Sequence, residues 1–203
     1  KRQMRRQQRR EEILDAAMEL LAGGGPDEFT MSRLADSVGG AVGALYRYFP
    51  SKDDIVVALQ RRAIEGFRMD LDADLASSGD AAPLARLRTA SLAWLRDAER
   101  APLRHRLIAS SLAAPERQLS DADVLAVHAS VQPILSAVVA LINAAVESGD
   151  LGPGDAMQRT HILWATLQGL DHFRKLDRLR PATLQTEALA LAALDALFTG
   201  WAP

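Results

Sequence analysis

The sequence predicts an all-α chain of about nine helices, with a small N-terminal three-helix module followed by a larger C-terminal helical body. Three observations carry this. Alanine and leucine dominate while β-branched runs are scarce, a composition that favours helix. Apolar residues recur at i, i+3, i+4 and i+7 in one segment after another. The breaks between segments fall on glycine and proline, at Gly23-Gly24-Gly25-Pro26, Gly39-Gly40, Pro50, Gly79, Pro102 and Gly149 to Gly154.

The 203 residues contain no cysteine, which excludes a disulfide framework, a thiolate metal site and a cysteine nucleophile. No run of consecutive apolar residues approaches a membrane span, and the basic start has no apolar stretch behind it that reads as a secretory signal. The cytoplasm is therefore the expected compartment. Net charge is −2 overall, but residues 1–62 hold 11 Lys/Arg against 9 Asp/Glu and the remainder 13 against 17. The basic part is the N-terminal one. Its first ten residues hold six cations (Lys1, Arg2, Arg5, Arg6, Arg9, Arg10) and no acid, reading as a solvated basic arm suited to phosphate or a minor groove.

In chain order, Glu11 to Ala22 is the first predicted helix, with Ile13, Ala17, Leu20 and Leu21 as its apolar stripe and the glycine triplet ending it. No Gly-Lys-Ser/Thr follows that triplet, so it is not a phosphate loop. Thr30 is placed to cap a second helix whose inward positions are Met31, Leu34, Ala35 and Val38. Gly39-Gly40 ends it, and a third helix places Val42, Leu45 and Phe49 inward. Leu21, Phe29, Leu34, Leu45 and Phe49 are the expected core of the module. Pro50 stops the chain, and Ser51 caps a long fourth helix, with Asp53 and Asp54 in its first turn and a stripe of Ile55, Leu59, Ala63 and Phe67.

The body continues with a helix from Pro83 to about Arg100 and a shorter one from Pro102 through Leu112. After a loop at 115–120, Ser120 caps a segment from Asp121 to Ser148 that Pro133 is expected to kink. Asp155 to about Leu176 and Pro181 to Phe198 are the last two. The final helix is apolar all round, which calls for burial on two sides, against its own body and against a partner subunit.

Two helical patterns joined by Gly39-Gly40 have the grammar of a helix-turn-helix. The run Leu45-Tyr46-Arg47-Tyr48-Phe49-Pro50-Ser51-Lys52 resembles the DNA-binding signature of the tetracycline-repressor (TetR) family of bacterial transcription regulators. The motif covers about the first quarter of the chain, and the layout of the rest is similar as well. The resemblance implies a DNA-binding domain at residues 1–50 and a ligand-binding and dimerisation domain at 51–203, entered through the fourth helix. It also implies a homodimer through the last two long helices. Thr30, Tyr46, Tyr48 and Lys52 match phosphate-contacting positions of relatives, and Arg47 meets phosphate or a base edge. Ser32 and Arg33, with Arg5, Arg6 and Arg9 of the arm, are added as candidates. Ala41, Val42 and Ala44 depart from the pattern, since they stand where relatives carry donors; methyl groups there are limited to touching thymine.

An effector cavity inside the body is likewise implied, and Trp94, Arg104, His105, His128, Gln132, His161, Trp164 and Gln168 are its candidate lining, suited to an apolar or aromatic small molecule. No catalytic pattern stands out: the four histidines are dispersed, and there is neither a P-loop nor a nucleophile elbow. Asp70, Asp72 and Asp74 alternate, which on a helix does not put them on one face for a metal. No cofactor or metal is expected. The reading is a ligand-responsive, DNA-binding repressor on a palindromic operator; the alternative is a helical ligand-binding or protein-interaction module whose helix-turn-helix is degenerate.

Overall fold

The computed structural model describes residues 1–24, 29–113 and 121–203. Among them lie nine α-helices: α1 (Arg2–Gly24), α2 (Met31–Ser37), α3 (Val42–Leu45), α4 (Lys52–Ser77), α5 (Pro83–Arg100), α6 (Pro102–Ala113), α7 (Asp121–Glu147), α8 (Ala156–Asp171) and α9 (Thr186–Gly200). Two short 3-10 segments, Arg174–Leu179 and Ala182–Leu184, join the last two. The chain forms two compact units, one of Lys1–Ile64 with Arg106–His128, the other of Glu65–His105 with Ala129–Pro203.

In the first unit the expected core is present: Leu21, Phe29, Leu34, Leu45 and Phe49 are all buried. The expected caps are present too. Thr30 Oγ1 accepts from the Arg33 N–H at 3.2 Å, and Ser51 Oγ accepts from the Asp54 N–H at 3.0 Å while donating to the Asp54 carboxylate. Gly39 turns the chain out of α2 at φ 65°, which a side chain would strain, and the Gly40 N–H closes the helix end onto the Ala35 carbonyl.

The basic segment is not an arm. It forms the opening turns of α1, whose start lies at Arg2 and not at Glu11. Arg, Gln, Met and Lys are good helix formers, and no glycine, proline or β-branched residue interrupts them. Contacts from Gln7 to Glu11 and from Arg9 to Glu12 offset part of the like-charge repulsion. The predicted end of this helix at Ala22 moves to Gly24; Gly25, Pro26, the 115–120 loop and the Ser120 cap lie outside the described residues.

In the second unit α5 packs on α8 and α9, and α8 on α9. The helix expected to run to about Leu176 stops at Asp171, where the chain tightens into 3-10 turns. The last helix starts at Thr186, not Pro181, because the Asp177 carboxylate accepts both its N–H and its hydroxyl. Asp155 caps α8 by accepting from the Gln158 N–H. Along α9, Thr186, Ala190, Leu194 and Phe198 form one buried stripe, whereas Leu191 is exposed, as are Met157 and Ile162 on α8.

One sequence expectation needs correcting. α7 is long and apolar enough to cross a membrane by length and composition. Counting uninterrupted apolar runs missed it, since Ser, Gln and Asn punctuate a segment that is otherwise Ala, Val, Leu and Ile. Only 22% of its most apolar stretch is buried.

Candidate nucleic-acid interface and effector site

The N-termini of α2 and α3 carry the first group of expected DNA contacts. Thr30, Ser32 and Arg33 are exposed in the cap and first turn of α2. At the start of α3 the cap position is Ala41, which makes no side-chain capping bond, and Val42 is half-buried. The donor-poor character expected there is therefore a property of the folded turn as well. Beyond the single turn of α3, Tyr46 and Arg47 are exposed and Tyr48 is half-buried. Lys52 holds its ammonium 5.2 Å from the centroid of the Phe29 ring, a cation–π contact that ties the start of α4 to the module core.

The basic residues of α1 divide into two sets. Arg9 donates to the Val38 carbonyl at 2.7 Å, and Arg10 donates to the Tyr48 carbonyl at 3.2 Å with its guanidinium 4.2 Å from the centroid of the Phe49 ring. These two therefore satisfy carbonyls left open at the ends of α2 and α3. Arg2, Arg5 and Arg6 instead line a cleft of about 490 Å³ together with Arg47 and Tyr48. Thus Arg5, Arg6, Arg47 and Tyr48 of the expected set come together, while Arg9 is engaged inside the module. Arg2 and Arg10, counted among the cations of the basic segment, were not among the expected DNA contacts. The signal for Arg10 was available: Leu21, Ala17 and Leu14 continue to position 10 at helical spacing.

In the second unit, three of the eight expected effector residues converge. Trp94 of α5 is buried edge-on to Phe67, centroids 5.8 Å apart, and stacks at a tilt on His105 at 4.0 Å. Arg104 donates to both Asp97 and Asp70, crossing α4 where Gly66 leaves room: a Cβ there would lie 3.3 Å from Arg104 Nη1. Gly66 is a further residue the sequence did not flag, and its cost within a helix is explained by this crossing. His105 Nε2 lies 2.8 Å from Asp171 Oδ2, and Nδ1 lies 3.7 Å from Asp97 Oδ2. That second distance is too long for a hydrogen bond, so Asp97 acts on the ring through its charge. Arg174 completes the set, donating to Asp171, Glu99 and the Leu95 carbonyl.

Burial alone would depress the His105 pKa, but the Asp171 hydrogen bond and the nearby Asp97 outweigh it and hold the imidazole above its ordinary value. Burial would likewise raise Asp171, yet hydrogen bonds from His105 and Arg174 hold it below the usual carboxylate range. Three buried polar atoms in this cluster, Trp94 Nε1, His105 Nδ1 and Asp97 Oδ2, have no hydrogen-bond partner among the described residues. A cavity of about 10 Å³ beside Asp97 and Arg104 has room for one water molecule at most.

The other five candidates lie elsewhere. His161 is exposed, Trp164 is half-buried 6.4 Å from it on α8, and Gln168 is half-buried further along. On α7, His128 is exposed and Gln132 half-buried. Asp70, Asp72 and Asp74 pair with Arg104, Arg68, and Arg96 and Arg100 respectively.

The fold and the site define a class: an all-helical protein that joins a helix-turn-helix to a larger helical body. Residues 13–59 match the family of bacterial regulatory proteins, tetR family. It is 41% identical over 80 residues to the HTH-type transcriptional repressor KstR of Mycobacterium tuberculosis, a match spanning 39% of this chain and 36% of that repressor. The match thus spans only about a third of its relative's length. Over 96% of its length the chain has the fold of a Rhodococcus sp. RHA1 protein of unknown function, TM-score 0.75 at 24% identity, covering 95% of that chain. It also shares the fold of AibR, solved with isovaleryl coenzyme A and operator DNA, at TM-score 0.68 and 17% identity over 94% of this chain and 98% of AibR.

Proposed function

We propose that the protein is a dimeric transcriptional repressor that holds a palindromic operator and releases it when a small molecule binds its helical body. The observation that supports this most is the tetR-family match over residues 13–59, on a module whose Thr30 and Ser51 caps and Gly39 turn are all formed. Thr30, Ser32, Arg33, Tyr46, Arg47, Tyr48 and Lys52 contact phosphates, while Ala41 and Val42 meet base edges through methyl groups. The functional division is 1–50 for DNA and 51–203 for effector and dimer.

The exposed apolar residues of α8 and α9, Met157, Ile162 and Leu191, form the seam between two copies and set the two recognition helices about one DNA turn apart. The effector is apolar or aromatic in its main part, with Trp94, Arg104 and His105 as its polar reception. His128, Gln132, His161, Trp164 and Gln168 are secondary candidates. Because AibR was solved with an acyl-coenzyme A, short-chain acyl-CoA thioesters are the first probes to try. Effector binding favours a conformation with altered α4 and lowers operator affinity by its differential affinity for the two states. The protein works in the cytoplasm, needs no cofactor and is not an enzyme.

The test is binding of the full chain to the duplex flanking its own gene at several salt concentrations. Saturable, sequence-dependent binding with a log–log salt slope of several units is expected, at about 0.9 per phosphate contact. Binding that is flat in salt, or equal on unrelated DNA, refutes the repressor reading in favour of a module with a degenerate helix-turn-helix.

A further inference from the structure

Of the four histidines only His105 is buried, and a carboxylate stands at each of its ring nitrogens. Nε2 lies 2.8 Å from Asp171 Oδ2 at the end of α8, and Nδ1 lies 3.7 Å from Asp97 Oδ2 on α5. A neutral imidazole has one N–H and one lone pair, so in that form one nitrogen turns a lone pair towards a carboxylate oxygen. The imidazolium presents an N–H to both. Its positive ring also stacks on Trp94, whose indole face is negative. The charges around it favour the same form. From α4, Asp70 pairs with Arg104; from α5, Asp97 pairs with Arg104 and Glu99 with Arg174; from α8, Asp171 pairs with Arg174. Carboxylates in this cluster therefore outnumber guanidiniums, and a protonated His105 is its third cation. The cluster is also closed, since the space of about 10 Å³ beside Asp97 and Arg104 admits one water and no effector.

We infer that His105 is a proton-operated latch on the effector site: as an imidazolium it fastens the start of α6 to α5 and α8 beside Trp94, and loss of the proton favours opening. Without the proton, and with the remaining N–H directed to Asp171, Nδ1 and Asp97 Oδ2 become two acceptors facing each other away from water. Neither atom has a hydrogen-bond partner among the described residues to offset this. An effector that reaches Trp94, Arg104 and His105 has to part His105 from Asp171, and the parted imidazole holds its proton less firmly. Effector binding therefore releases a proton and is favoured by rising pH. Arg104, the adjoining residue, ties the same turn of α6 to Asp70 of α4, so the opening reaches the helix that continues into the DNA-binding module. The inference rests on the effector-release reading above and adds the proton as a second control on that site.

The experiment uses the full chain carrying Trp164→Phe and Trp201→Phe, which leaves Trp94 as its only tryptophan. Acrylamide, a small neutral quencher, measures how open the site is. As pH rises from about 6 to about 9, through the ordinary imidazole value and beyond it, quenching of Trp94 should increase several-fold. Its midpoint should coincide with that of the His105 ring protons, followed by NMR and assigned through His105→Gln. His105→Gln should be open at every pH, and Asp171→Asn should move the midpoint down towards the ordinary value. On the duplex flanking the protein's own gene, the dissociation constant should rise by up to about tenfold per pH unit over the same interval, the limit for one linked proton, and His105→Gln should abolish that rise. Quenching that is flat in pH, or that rises equally in His105→Gln, refutes the latch and leaves the repressor reading standing. A loss of helical circular dichroism in step with the quenching makes the change unfolding and refutes it as well. In the chain with all its tryptophans, a His105 titration at or below the ordinary value refutes it independently. Quenching that follows His105 while specific duplex binding does not refutes the control over DNA release. If no specific duplex binding is found, the repressor reading falls, and the quenching still decides whether the latch exists.

Discussion

Replacing Asp97 by alanine should be among the most damaging single changes in the second unit. The Asp97 side chain is 1% exposed, and it receives Arg104 Nε at 2.8 Å as well as Arg104 Nη2. Its second oxygen lies 3.7 Å from His105 Nδ1. Removing one partner of a buried charge pair costs about 3–5 kcal/mol, since the other charge is left uncompensated. Arg104 keeps its 2.5 Å pairing to Asp70, whose side chain is 49% exposed, which places the expected loss near the lower end, at about 3 kcal/mol. For a chain of this size that corresponds to a melting temperature lowered by roughly 6–12 °C. Urea unfolding at neutral pH measures it as a shift in midpoint at constant m-value, and Asp97→Asn, which keeps shape and an acceptor, should lose less. A loss below about 1 kcal/mol for Asp97→Ala would mean that the arginine relaxes into solvent and that the network does not tie α5 to α6 as the geometry indicates.

Further outcomes follow from the same contacts. His105 has its pKa raised in the folded state, so the stability it contributes is full below its unfolded value near 6.5 and is lost as pH rises through the folded value. Asp171 is depressed, so its contribution is present above the ordinary carboxyl range and is lost as pH falls through its folded value; His105→Ala should therefore flatten the alkaline side of a stability–pH profile and sharpen none of it. Phe49→Ala removes a ring with no exposed surface, and denaturant unfolding should register a loss of about 3–5 kcal/mol. On the proposed dimer seam, Ile162→Glu combined with Leu191→Glu should convert a dimer to monomer in sedimentation at micromolar concentration; an unchanged sedimentation coefficient would place the interface elsewhere.

The fold was legible where local chemistry and periodicity agreed. Thr30, Gly39, Pro50, Ser51, Pro83 and Asp155 each mark a boundary that follows from a cap, a positive φ or a missing N–H, and the helix limits fall at or beside them. The boundaries that were misplaced depend on contacts distant in sequence. Asp177 reaches forward nine residues to start α9 at Thr186, which periodicity around Pro181 does not reveal. The N-terminal arginines looked like a solvated tail since their charge pattern is that of one; what keeps them helical includes carbonyls of Val38, Arg47 and Tyr48, far along the chain. In the second unit residue type picked out Trp94, Arg104 and His105 as candidates, but their grouping depends on Asp97, Asp171 and Gly66, whose roles exist only once four helices meet.

The attachment of the basic segment to the helix-turn-helix also has a kinetic consequence. A disordered arm must order as it meets DNA and gives up part of its interaction energy to do so. Here Arg9 and Arg10 already hold that segment on the carbonyl ends of α2 and α3 before any encounter. On the DNA-binding proposal, association then involves no folding of this segment, and its rate is governed by electrostatic steering towards a preset cationic surface. Salt should accordingly slow the on-rate more than it hastens the off-rate, and loosening the Arg9 or Arg10 attachment should reverse that balance.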